Sequence, residues 1–180
     1  MPPGPTMPLC IAALPATARV SYAAPRRCRL HQPSPTPPRA AAPRLDDFPV
    51  RVPDIIRFGD IDRQGHVNNA VYSTYLETGR VGIIYDPAEG LQVAGATTVL
   101  ARIEIDFLKE LRWPGTIEVG TAVAEIGRSS YTFVQAVFID GACAAKARST
   151  IVLIDGETRR ARALPPILVS RLERLSLRTA

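Results

Sequence analysis

The periodicities of this chain predict an α+β fold in which one long central helix is wrapped by a curled, mostly antiparallel sheet. Three observations carry that expectation. A lone early strand is followed by a stretch of helical period, from Val67 to about Ile84. Everything after about Thr97 alternates apolar and polar residues with period two. Turn signals at Trp113-Pro114-Gly115, Gly127-Arg128 and Asp140-Gly141 then cut the alternating half into four antiparallel strands. A single helix buries its apolar stripe only if the sheet curls around it.

The first element is a tail. Met1–Leu45 contains no acidic residue but holds Arg19, Arg26, Arg27, Arg29, Arg39 and Arg44, and most of the prolines. Such a segment buries too little apolar surface to offset its ordering entropy, so residues 1–46 are expected to be disordered and residues 47–180 to fold. The acid-free, Arg-containing composition fits an organelle transit peptide, in a plastid or mitochondrion. The competing reading is an inessential extension of a cytoplasmic protein. The formal net charge of the whole chain is +5, and six arginines lie in the tail, so the folded part is close to neutral. That argues against a nucleic-acid partner. No apolar run approaches the ~18 residues that span a bilayer, so stable membrane insertion is not expected.

The folded part opens with a strand at Arg51–Arg57, whose apolar members are Val52, Ile55 and Ile56. Phe58–His66 carries the Asp and Gly punctuation of a loop. In the helix that follows, Gly79 and Gly82 each cost about 1 kcal/mol against Ala, so close approach of a sheet is expected there. Asp86-Pro87 ends it. The four later strands are expected at Val99–Leu108, Thr116–Ile126, Ser130–Ile139 and Ala142–Ile154, with a short helix at Ile167–Leu177. Exposed edge strands make pairing into an oligomer the expected protection. Cys10, Cys28 and Cys143 show no metal or disulfide spacing, and Cys143 reads as a small buried hydrophobe.

The chemistry concentrates in RFGDIDRQGHVNNAVYSTYLETGR, Arg57–Arg80. A carbonyl undergoing hydrolysis needs donors for its developing oxyanion and a carboxylate that attacks or activates water. A helix N-terminus supplies free amides, and a glycine beside it lets a ligand approach the backbone. The pattern Asp60-x-Asp62-x-x-Gly65-His66-Val67-Asn68-Asn69-Ala70-x-Tyr72, followed by Tyr75, Glu77 and Arg80, resembles the single-hotdog acyl-CoA thioesterases of the 4-hydroxybenzoyl-CoA thioesterase-like family. The resemblance runs from about Val50 to Pro166.

It implies a hotdog fold, at least a homodimer (or a homotetramer) with shared active sites, and hydrolysis of acyl-CoA to free acid and CoA. It makes Asp62 the catalytic carboxylate, as nucleophile or general base, with the Gly65 and His66 amides polarising the carbonyl. His66 itself is a candidate base, cap or orienting group for Asp62, and Asp60 reads as structural. Asn68, Asn69, Tyr72 and Glu77 are expected to line the substrate site. Glu77 is the second choice for the acid, its bland alternative being a buried ion pair with Arg80. Arg128, with Ser129 and Ser130 in the β-hairpin Gly127-Arg128-Ser129-Ser130, is the best candidate for the CoA phosphates. No cofactor beyond the CoA of the substrate is implied, and no metal, since His31 and His66 are the only histidines. Rival readings are a non-catalytic acyl-CoA-binding sensor and an acyl-carrier-protein thioesterase. A hotdog hydratase is a further rival, but its His-and-acid motif is not found.

Overall fold

A computed structural model describes residues 42–177 of the chain. The expected disorder of the tail falls outside the described residues for positions 1–41; Leu45–Asp47 already forms a short 3-10 turn. The elements run β1 (Val50–Ile56), α1 (Val71–Ile84), β2 (Ala96–Phe107), β3 (Gly115–Ile126), β4 (Ser130–Ile139), β5 (Ala142–Asp155) and α2 (Pro166–Glu173). The five strands form one sheet in the order β1-β3-β4-β5-β2, and every neighbouring pair is antiparallel. The sheet is not closed, and β1 and β2 are its edges. This is the α+β hotdog arrangement that the sequence predicts.

Helix α1 packs on β1, β3 and β4. Its Tyr72, Tyr75 and Leu76 meet Ile117, Val119, Val137, Ala145 and Ala147 of the sheet. Gly79 explains how the helix comes so near: a Cβ there would stand 2.7 Å from Val119 Cγ1 and 2.8 Å from Thr121 Oγ1. Leu168 and Leu172 of α2 extend the core over Tyr131, Phe133 and Leu153. The opposite sheet face is covered in part by Phe48, which packs edge-on against Phe138 at 5.8 Å. Cys143 is half-buried beside this cluster, and burial pushes its thiol above the ordinary value.

A polar network fills the space under Gly79. Gln135 Nε2 donates to the Leu76 carbonyl at 2.8 Å and to Thr121 Oγ1 at 3.1 Å. Arg80 is buried and its Nη1 donates to Gln135 Oε1 and Ser149 Oγ, both at 3.1 Å. The buried pair with Arg80, the alternative reading of Glu77, does not form, because Glu77 stands on the exposed face of α1. The guanidinium is solvated by neutral side chains instead.

Three boundaries differ from the sequence reading by three residues or more. α1 starts at Val71 rather than Val67, β2 starts at Ala96 rather than Val99, with a bulge between Leu100 and Arg102 that resets its alternation, and α2 ends at Glu173 rather than Leu177. One buried group has no counterpart: Tyr131 Oη finds no hydrogen-bond partner among the described residues, and burial raises its pKa. A buried donor left unsatisfied costs ~1–3 kcal/mol. Tyr131→Phe is therefore expected to raise Tm by a few degrees in differential scanning calorimetry; a fall in Tm would mean that the hydroxyl is paired.

Candidate active site

The segment between β1 and α1 is a small folded unit. Ile61 bridges Val67 in antiparallel fashion, and the Asp62 N–H donates to the His66 carbonyl at 3.0 Å. The Gly65 N–H returns to the Asp62 carbonyl at 3.1 Å, and Gly65 sits at φ 81°, a conformation that favours glycine. The result is a tight bulged hairpin with Arg63 and Gln64 at its tip. Its far side is sewn to the β2–β3 connection by the Val67 N–H, which donates to the Leu111 carbonyl at 2.8 Å.

Inside this hairpin Asp62 accepts the Gln64 N–H on Oδ1 at 2.7 Å, an Asx-turn bond. Its other oxygen, Oδ2, lies 3.5 Å from His66 Nδ1, and about a quarter of each side chain is exposed. His66 Nε2 in turn lies 2.9 Å from Gln64 Oε1. Oδ1 of Asp62 is thus taken up by the turn, while Oδ2 faces the His66 ring.

A cleft of about 470 Å³ opens beside this pair. Asp62, Gln64, His66 and Asn69 form its polar wall, and Val67, Tyr72, Phe107 and Leu108 its apolar wall. Tyr72 is fixed twice: its hydroxyl donates to the Lys109 carbonyl at 3.3 Å, and its ring meets Phe107 edge-on at 5.0 Å. Burial raises the pKa of this phenol. Lys109 and Glu110, at the start of the β2–β3 connection, complete the rim.

Of the sequence-expected site residues, Asp62, His66, Asn69 and Tyr72 come together here. Gly65 shapes the hairpin, but it and His66 do not sit at the helix N-terminus as expected, because α1 begins only at Val71. Asn68 is organisational: its Oδ1 accepts the Ala70 N–H at 2.9 Å and its carbonyl the Val71 N–H at 2.9 Å. Glu77 does not line the cleft. Arg128, Ser129 and Ser130 lie at the other end of the sheet in the same chain. β3 pairs Gly115 with Ile56 beside the site and runs to Ile126, roughly 35 Å away at ~3.3 Å per residue. Strand direction, which residue types do not reveal, decides this separation. It also brings residues 107–110 to the site, a stretch that the sequence reading does not select. Among the described residues no group of three His, Cys, Asp or Glu side chains is placed to hold a metal.

Known proteins share this architecture. The thioesterase-like superfamily matches residues 56–172, more than half of the chain. A thioesterase from Thermus thermophilus, crystallised with coenzyme A and Zn, is 32% identical and superposes with a TM-score of 0.62 over 74% of this chain and 98% of that one. The PA5185 protein from Pseudomonas aeruginosa strain PAO1 is 25% identical, with a TM-score of 0.66 over 77% of this chain and 99% of that one. The DHNA-CoA thioesterase from Staphylococcus aureus shares the fold at 17% identity, with a TM-score of 0.63 over 69% of this chain and 88% of that one. No curated protein sequence matches the chain. Fold and relatives together define a thioester-hydrolase type of protein. The chain belongs to the thioesterase-like superfamily. No described helix is long and apolar enough to cross a membrane.

Proposed function

We propose that this protein hydrolyses acyl-CoA thioesters to the free carboxylic acid and CoA, with Asp62 as the reacting carboxylate. The observation that carries the reading is the Asp62 carboxylate, its Oδ2 3.5 Å from His66 Nδ1, on the wall of a cleft that also offers an apolar surface. Asp62 either attacks the thioester carbonyl, forming an anhydride as the C–S bond breaks that water then cleaves to the free acid and the Asp62 carboxylate, or takes the proton of a water that attacks the carbonyl itself. CoA thiolate leaves in both cases and is protonated. The Gly65–His66 edge of the hairpin faces the developing oxyanion; since the Gly65 N–H already bonds Asp62, the His66 amide is the donor assigned. Asn69 and Tyr72 hold the thioester end of the substrate, and the coenzyme A bound by the Thermus relative supports CoA as the carrier.

In this reading the working unit is a dimer. Arg128, Ser129 and Ser130, remote from Asp62 in their own chain, contact the CoA of a second copy's site, as the family resemblance suggests. The test is thiol release from a panel of short, medium, long and aromatic acyl-CoAs, with one acyl group also presented on a carrier protein. Turnover is expected on CoA thioesters, and the panel ranks the acyl classes. Faster turnover on the carrier protein would reassign the substrate. Saturable acyl-CoA binding with no thiol release on either would replace the enzyme by a binding module.

A further inference from the structure

Two acids flank Arg57 at the base of the site hairpin, and both reach α1. Asp54 accepts the Thr78 hydroxyl on Oδ2 at 3.0 Å and Arg57 Nη2 on Oδ1 at 3.0 Å. Asp60 accepts the Tyr75 hydroxyl and the Arg57 N–H on the same oxygen, Oδ2, each at 2.7 Å. Its backbone carbonyl accepts the Asn68 N–H at 2.9 Å. Asp60 is thus held by Arg57 just beyond β1, by the far strand of the hairpin and by the helix at once. Its bond to Arg57 closes a local 3-10 turn, Phe58–Asp60, and needs nothing from α1. The bond from Tyr75, fifteen residues away, is not required by that turn.

What the Tyr75 bond does fix is the height of the hairpin over the helix. Only Ile61 separates Asp60 from Asp62, and Ile61 is itself clamped by its bridge to Val67. The Asp60 anchor and the Asp62 carboxylate therefore share one short stretch of backbone. Tyr75 is fully buried and its ring meets that of Tyr72, which lines the cleft, edge-on at 6.3 Å. We infer that Tyr75, acting through Asp60, is a positioning residue for the Asp62 carboxylate. The inference rests on the reading of Asp62 as the reacting group. Burial, and then the bond to Asp60, raise the Tyr75 phenol well above its ordinary value, so it remains a donor throughout the working range.

Thr78 supplies the control. It lies one turn further along the same helix and makes the same kind of bond to a carboxylate, but Asp54 reaches Asp60 only through the half-exposed Arg57 side chain, whose Nη1 stands 3.8 Å from Asp60 Oδ2. Tyr75→Phe, Thr78→Val, Asp60→Asn, Asp60→Ala and Asp60→Ala/Tyr75→Phe are compared with the parent full chain for kcat, KM and Tm. Tyr75→Phe is expected to lower kcat by about tenfold or more, since small misplacements of a reacting group are costly, with KM within about twofold. Thr78→Val is expected to lower Tm as much and to leave kcat within about twofold. Asp60→Asn keeps an acceptor oxygen for Tyr75 and is expected to outperform Asp60→Ala. The double variant is expected to be no slower than Asp60→Ala, as for two residues acting through one bond. Unchanged kcat in Tyr75→Phe, or an equal loss in Thr78→Val, overturns the inference. Asp62→Asn is run beside them: full activity there would remove the reading beneath the inference, whereas an inactive Asp62→Asn with an unaffected Tyr75→Phe removes the inference alone.

Discussion

Asp62→Asn is expected to lower kcat by about a hundredfold or more while leaving Tm within a few degrees of the parent. The substitution is nearly isosteric, and the Asx-turn bond from the Gln64 N–H needs only an oxygen at Oδ1, which Asn retains. The Gly65–Asp62 and Asp62–His66 backbone bonds involve no side chain. The hairpin therefore survives, and what disappears is the negative charge at Oδ2. An amide oxygen neither attacks a thioester nor takes a proton from water at neutral pH, so both versions of the chemistry fail together. Glu77→Gln serves as the comparison. Glu77 is exposed on α1 and outside the cleft lining, and its variant is expected to keep full turnover. Thiol-release kinetics on both variants check the pair; retained activity in Asp62→Asn with loss in Glu77→Gln would move the reacting acid to mid-helix.

The second large effect is on stability. Gly79→Ala is expected to destabilise the fold by about 3 kcal/mol, read from urea or thermal unfolding. The new methyl would stand within 3.1 Å of three atoms, Val119 Cγ1, Thr121 Oγ1 and Gln135 Nε2. Val and Thr are stiff at χ1 within a strand, and Gln135 is tied to Leu76 and Thr121, so none moves freely. Retreat of the helix would also stretch the Gln135–Leu76 bond and with it the seat of Arg80. Gly82→Ala, one turn on, meets only Val52 Cγ2 at 3.0 Å, and the helix-propensity gain of about 1 kcal/mol offsets that contact. The expected contrast is a large loss at 79 and a change near zero at 82. Equal effects would mean that the gap is set elsewhere than at Gly79.

That contrast shows what is legible in the sequence. Two glycines inside a helical pattern demand a close neighbour, and Gly79 has one. The strand limits of β4, Ser130–Ile139, follow from their alternation alone. Asp140-Gly141 adopts the positive φ values, 50° and 74°, that its composition favours in a hairpin. The helix start is not legible, because Val67, Val71 and Tyr75 fit one helical stripe. Val67 is buried for a different reason, as a bridge partner of Ile61 whose N–H reaches Leu111. The Glu77–Arg80 pair fails because i,i+3 spacing says only that two side chains can meet. It does not say which of the two faces the sheet. Lys109 and Glu110 carry no signal at all: they reach the cleft because β2 ends beside the hairpin, a fact of topology.

The bridge between Ile61 and Val67 also governs how this segment can diverge. The count of residues between them is set by the turn, with Gly65 at its left-handed corner. Removing or adding one residue would shift that corner and turn Asp62 toward the opposite side of the ladder. Arg63, exposed at the tip, is open to replacement, whereas Gln64 lines the cleft and its Oε1 meets His66 Nε2 at 2.9 Å. Insertions and deletions are therefore expected to collect in the connection at residues 86–95, leaving the Ile61–Val67 interval at constant length while Arg63 at its tip is freely rewritten.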